Sequence, residues 1–295
     1  MAKVSTAMVK PILESMYNCR SELVPCFIGA PGIGKTQGLY EFAEEIGVNV
    51  VTFILSNTVP SEVSGIRMPD KDSKRMEVFD DMRMSSLKDG DILFFDEILE
   101  APPMLWSACL TLIQDRIMAS GRRLPDVFIV AASNQVASPG IIPASVRNRF
   151  QFIELQFDRY HWSKWFKDRY HVDPSPVCSY IKEDSDQYNI LTPREVVKLY
   201  TWLVGDGDMN IKKKVITAMF DAVICEKLLD LVKRNKTPQE QIAEALKSTT
   251  NTADFEHMSL KEIMEFLQQQ PEWNEMQDIL ASISFDEGEK EDIPY

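Results

Sequence analysis

The chain has 295 residues, more than one average domain of roughly 100–200, and its 44% hydrophobic and 26% charged content excludes a disordered or fibrous protein, so a main domain with a smaller companion is expected. Its apolar runs fall well short of the ~18 residues that cross a bilayer, and its five cysteines form no C-x-x-C pair, which points away from membrane, secreted and soft-metal classes toward a cytoplasmic protein with reduced thiols. The net charge of −13 is uneven: residues 236–295 hold 4 Lys against 14 acids, while the first 235 hold 28 basic and 31 acidic residues, so total charge does not exclude a nucleic-acid partner.

In chain order, short runs rich in Val, Ile, Leu and Phe at 24–28, 48–55, 92–95, 127–132 and 150–155 predict buried parallel strands. Amphipathic stretches alternate with them. Residues 35–46 predict a helix stopped by Gly47, and 103–114 a helix with Pro103 in its first turn. Two hairpins interrupt the alternation: one at 61–81, around the turn-rich 69–73, and one at 116–125, around Ser120 and Gly121. Beyond about residue 158 the pattern is helical, at 162–170, 193–204 and 211–233, with shorter stretches to 283 and an acidic end at 286–292. With the loop Gly29 to Thr36 after the first strand fitting G-x-x-x-x-G-K-[ST], the expected fold is α/β: a P-loop NTPase parallel sheet with helices on both faces, followed by an all-α lid and helical tail. The expected domains are 1–157, a nucleotide-binding α/β domain, 158–235, a helical lid, and 236–295, an acidic helical extension with a disordered end.

Between the first predicted strand and the first predicted helix lies Gly29-Ala30-Pro31-Gly32-Ile33-Gly34-Lys35-Thr36, which fits G-x-x-x-x-G-K-[ST]. Glycines let the backbone curl so that its N–H groups face phosphates, and the helix N-terminus adds a favourable dipole. Lys35 is expected to reach the β- and γ-phosphates of ATP, and Thr36 to place its hydroxyl on Mg²⁺. The third run ends in Asp96-Glu97, where Asp96 suits a second contact to Mg²⁺ and Glu97 suits activation of an attacking water.

In order and spacing, this loop, the Asp96-Glu97 strand, Asn134 after the fourth strand, and Pro143 to Phe150 resemble the AAA+ ATPases. Residues 57–65 followed by a hairpin, and the approach to the fourth strand at 124–134, are similar to the helix-2-insert group that includes MoxR and midasin. The resemblance implies that Asn134 is the sensor 1 residue holding the lytic water or γ-phosphate. It also implies that Arg147 or Arg149 is an arginine finger for a neighbouring subunit, and that Arg194 is a sensor 2 residue acting in cis or in trans. A homo-oligomer follows from the finger, expected as a hexameric ring, with a protein client remodelled in chaperone fashion and a von Willebrand A-domain partner. The alternative is a nucleic-acid motor, helicase-related or a loader.

Asn57 is either a switch for the orientation of Glu97 or a turn residue. Arg116, Arg122 and Arg123 on the second hairpin, with Lys71, Lys74 and Arg75 on the first, are either solvated or grip phosphates or an acidic polypeptide. Lys212-Lys213-Lys214 reads as a solvated helix start, and Trp162, Trp165 and Phe166 as lid core.

Overall fold

A computed structural model describes residues 3–19, 22–70, 75–134, 144–182 and 191–234. The chain divides into two compact units, Met1–Trp162 with Lys182–Arg194, and Ser163–Ile181 with Glu195–Tyr295. The expected acidic extension at 236–295, and Lys71 and Lys74 of the first hairpin, lie outside the described residues.

The strands are β1 (Val4–Ser5), β2 (Val24–Ile28), β3 (Val50–Ile54), β4 (Ile66–Pro69), β5 (Met76–Phe79), β6 (Ile92–Asp96), β7 (Phe128–Ser133) and β8 (Phe150–Gln156). Six form a parallel sheet in the order β1-β8-β2-β7-β6-β3, and β4 pairs with β5 as a separate antiparallel hairpin. All five expected sheet strands are present, and β1 is an addition that the sequence pattern missed. It is two residues long, and its place on β8 is secured where Ser5 Oγ donates to Asp158 Oδ2 at 2.7 Å and the Asp158 N–H donates to Thr6 Oγ1 at 3.0 Å.

Both faces of the sheet are covered. The first unit's longer helices are α1 (Val9–Asn18), α2 (Lys35–Ile46) and, after the short α3 (Pro60–Ser64) and α4 (Met82–Ser86), α5 (Pro103–Asp115). Alternation along the strands sends Cys26, Ile28, Val51, Phe53, Leu93, Phe95, Ile129 and Ala131 into one core with Leu105, Cys109 and Leu112 of α5. On α1 and α2, Tyr17 sets its ring edge-on to Phe42 and to Phe128 of β7, with centroids 5.7 and 5.8 Å apart. Full burial on both sides explains why β2, β6 and β7 read as unbroken apolar runs.

In the second unit, Phe166 of α7 (Arg159–Tyr170) is buried against Tyr170 and against Tyr200 of α9 (Pro193–Val204), whereas Trp162, also expected as lid core, falls in the first unit with its ring centroid 6.3 Å from that of Phe157. After α6 (Ala144–Arg147), which belongs to the first unit, and α8 (Ser175–Cys178), the expected helix at 211–233 is instead two helices, α10 (Met209–Met219) and α11 (Ala222–Lys233). Phe220 turns extended between them, and Asp221 caps α11 by accepting the Ile224 N–H at 2.9 Å. The solvated reading of Lys212 is also corrected. Only 4% exposed, its ammonium donates to the carbonyls of Leu203, at 3.2 Å, and Gly205, so it closes the C-terminus of α9 with charge of the favourable sign.

Candidate functional site

At the C-terminal edge of the sheet, the loop from β2 to α2 bends with Gly32 at φ 80° and Gly34 at φ 105°, a region that side chains with a Cβ rarely enter. A β-carbon on Gly32 would stand 3.0 Å from Arg194 Cβ, so the loop and the start of α9 are in close approach within the first unit. No side chain caps the N-terminus of α2, which leaves the first-turn N–H groups to an external acceptor. Gly29, Pro31, Gly32, Ile33 and Gly34 thus form a backbone cradle at a helix start. Ile33 is buried, and its Cδ1 fills the space that a β-carbon on Gly29 would need.

Lys35 is buried, 7% exposed, and its ammonium donates to Gly29 O at 2.8 Å, Ala30 O at 3.0 Å and Asn134 Oδ1 at 3.2 Å. Burial lowers its pKa to about 8, opposed by the carboxylates of Asp96 and Glu100 and assisted by Arg194. Thr36 Oγ1 donates to Asp96 Oδ2 at 3.2 Å. Burial pushes the Asp96 carboxyl above the usual range, against the hydrogen bonds it receives from the Glu97 N–H and Thr36. Hydroxyl and carboxylate together offer hard oxygen ligands of the kind Mg²⁺ takes one or two at a time from protein, with phosphate and water completing its octahedron. Among the described residues no group of three or more His, Cys, Asp or Glu could hold a metal, so protein ligands alone would not cage the ion.

Glu97 follows with a left-handed backbone, φ 56°, unusual for a residue with a side chain and a feature that clusters at functional sites. Its carboxylate accepts the Ser56 hydroxyl through Oε2. Asn57, the sequence's candidate for contact with Glu97, is exposed and closes a turn through its N–H to Ile54 O at 3.0 Å. Ser56 is one position away, and nothing local distinguishes the two. A second residue escaped the sequence reading: Glu100 Oε1 accepts Asn134 Nδ2 at 3.3 Å.

Arg147 and Arg149 are not brought to this edge. They precede β8, whose first residue, Phe150, pairs with Val24, the first of β2, while the phosphate loop leaves the last, Ile28. That places Arg149 about 13 Å of strand away, at roughly 3.3 Å per residue, toward the opposite edge. Arg149 donates through Nε and Nη2 to Gln114 Oε1 on α5 at 3.2 and 3.0 Å.

The two hairpins are joined. Asp80, just after β5, accepts the Ser120 N–H at 2.9 Å, the Ser120 hydroxyl, and Arg122 Nη2 at 3.0 Å. Arg116 turns inward and donates to Val127 O at 2.8 Å. Arg116 is therefore held by the protein, while Arg122 pairs with Asp80 but stays exposed, as do Arg123 and Arg75 among the described residues. The first hairpin exposes large apolar side chains beside the charged Arg67, Arg75 and Glu77: Ile66, Met68 and Phe79 are 56%, 53% and 51% exposed, and Met82 next to them is 84% exposed.

Residues 25–150 match the AAA domain family, dynein-related subfamily. Among curated proteins, the chain is similar to the Holliday junction branch migration complex subunit RuvB of Campylobacter fetus, 30% identical over 168 residues, covering 52% of this chain and 41% of that protein. It is also similar to chaperone MoxR1 of Mycobacterium tuberculosis, 28% identical over 131 residues, covering 42% and 33%. The matched region is less than half the length of either relative. Among solved structures, the Thermotoga maritima RuvB Holliday junction branch migration motor aligns over 83% of this chain and 76% of its own, at 18% identity and a TM-score of 0.48.

Proposed function

We propose that this chain, which belongs to the AAA+ ATPases through the domain at residues 25–150, hydrolyses ATP with Mg²⁺ in a homo-oligomeric, hexameric ring and remodels a protein client. Lys35, Thr36 and Asp96 converging on an uncapped helix start carry the nucleotide assignment. Lys35 would leave its loop carbonyls for the β- and γ-phosphates, while Thr36 and Asp96 would hold the Mg²⁺. The ion supplies neutralisation of the charge that builds on the transferred group. Glu97 takes a proton from the attacking water once Ser56 releases its carboxylate. Asn134 orients that water or the γ-phosphate. Arg194, beside Gly32, serves its own subunit's site. Arg149 or Arg147, at the far edge of the sheet, serves a neighbour's site, which is why the reading requires an oligomer.

The exposed apolar face of the first hairpin supports a protein client. Ile66, Met68, Phe79 and Met82 suit unfolded polypeptide, because flexible methionines adapt to varied apolar partners and none of the four attracts a phosphate backbone. Similarity to chaperone MoxR1 points the same way, and a von Willebrand A-domain partner follows from the sequence resemblance alone. Similarity to RuvB favours a second reading, a nucleic-acid motor. The engagement of Arg116 within the protein, and of Arg122 by Asp80, weighs against it, although the Arg122 side chain stays exposed.

The test of the site is a pair of variants. Lys35→Ala is expected to lose ATP binding, and Glu97→Gln to keep it while turnover falls about 100-fold or more. Equal affinity in Lys35→Ala and wild type would remove the assignment. For the client, unfolded polypeptide is expected to stimulate ATPase activity, and Met68→Ser/Phe79→Ser to abolish that stimulation. Salt-sensitive stimulation by DNA or RNA in place of polypeptide would establish the motor reading instead.

A further inference from the structure

Glu100 stands three residues beyond Glu97, at the end of the short helical turn Ile98–Glu100, with its side chain exposed. Asn134 is held at both ends, its Oδ1 accepting from Lys35 Nζ at 3.2 Å and its Nδ2 donating to Glu100 Oε1 at 3.3 Å. Those partners fix which way the amide faces. An ammonium only donates and an ionised carboxylate only accepts, so a flipped amide would set donor against donor and acceptor against acceptor. The Asn134 N–H is therefore committed to an anionic oxygen supplied by the chain itself. Among side chains, a carboxylate most closely matches the charge and acceptor character of a phosphate oxygen.

We propose that Glu100 is a positioning residue that stands in for the γ-phosphate on Asn134, so that ATP must displace it and ADP need not, and that it thereby sets how well the site discriminates ATP from ADP. This rests on the ATPase reading above. Asn134 is held by Glu100 in the orientation that ATP later uses, at the cost of a competing negative charge. Removing that charge while keeping an acceptor, as Glu100→Gln does, is expected to favour ATP selectively. Glu100 is exposed and fills no part of the core, so the substitution leaves the fold intact.

The experiment measures dissociation constants for Mg-ATP and Mg-ADP by calorimetry, with every variant made in a Glu97→Gln background so that ATP is not consumed. Glu100→Gln is expected to tighten ATP about threefold to tenfold while ADP changes less than twofold, a shift of roughly 1 kcal/mol in preference. In an Asn134→Ala background the same substitution is expected to leave the ATP/ADP ratio unchanged, because the effect runs through Asn134. A purely structural role would weaken both nucleotides together, and that outcome overturns the proposal, as does an unchanged ratio. A ratio shift that persists without Asn134 also overturns it, by showing direct repulsion instead of positioning. Lys35→Ala in the same assay separates the two levels. If it binds ATP as well as its parent, the nucleotide site itself is wrong; if it does not bind and Glu100→Gln leaves the ratio unmoved, only the role of Glu100 falls.

Discussion

In the proposed nucleotide site, Lys35 is expected to make affinity depend on pH in a range where an ordinary lysine would not. Its pKa is lowered from 10.5 to about 8, first by burial and against the pull of Asp96. Phosphate binding requires the ammonium, so the protein must be protonated there to bind well. With a pKa of about 8, the bare site is about nine-tenths charged at pH 7 and about one-tenth at pH 9, so the Kd for Mg-ATP is expected to rise about tenfold over that interval. A lysine at 10.5 would change it by only a few per cent. The sign follows from linkage: phosphates favour the charged form, so binding near pH 8 takes up about half a proton per site, and affinity falls as pH rises. Calorimetry at pH 8 in two buffers of different ionisation enthalpy measures that uptake directly. Lys35→Arg, charged throughout, is expected to flatten the profile whatever its absolute affinity. A Kd unchanged between pH 7 and 9, with no proton uptake, would refute the claim that burial controls this lysine.

The proposed trans finger predicts that Arg149→Ala binds ATP without turnover, and that mixing it with Lys35→Ala restores part of the activity at interfaces pairing an intact site with an intact finger. Full ATPase activity in a dilute monomer would exclude a shared site. At the hairpins, burial tends to raise the Asp80 pKa, but hydrogen bonds from Ser120 and Arg122 outweigh it and hold the carboxyl below its usual 3.8. Its stabilisation is therefore present above pH 3.8 and is lost as pH falls through the lower folded value. Asp80→Asn, which turns an amide toward these donors, is expected to cost about 2 kcal/mol in urea unfolding at pH 7, with the difference from wild type narrowing in acid. A constant difference from pH 7 to pH 3 would contradict this.

Much of the sheet domain could be read from local sequence because its physics is local. Strands buried on both faces must be apolar at every position, as β2 and β7 are, and a loop that curls around phosphate needs glycine where φ is positive, as at Gly32 and Gly34. Gly47, at φ 71°, likewise ends α2 where the pattern said it would. By contrast, the direction in which a polar side chain points depends on partners far away in the chain, and composition carries no record of them. Ser56 and Asn57 are equally polar neighbours, but only the hydroxyl of Ser56 meets Glu97, 41 residues on. Lys212, Lys213 and Lys214 form one uniform run, of which α10 buries the first and exposes the other two, because α9 ends where Lys212 can reach its carbonyls. Arg116 and Arg122 look alike as loop cations until Val127 O and Asp80 claim them. Residue type set which groups could serve as donors, acceptors and charges; the long-range pairing of β6, β7 and α2 decided which of them meet.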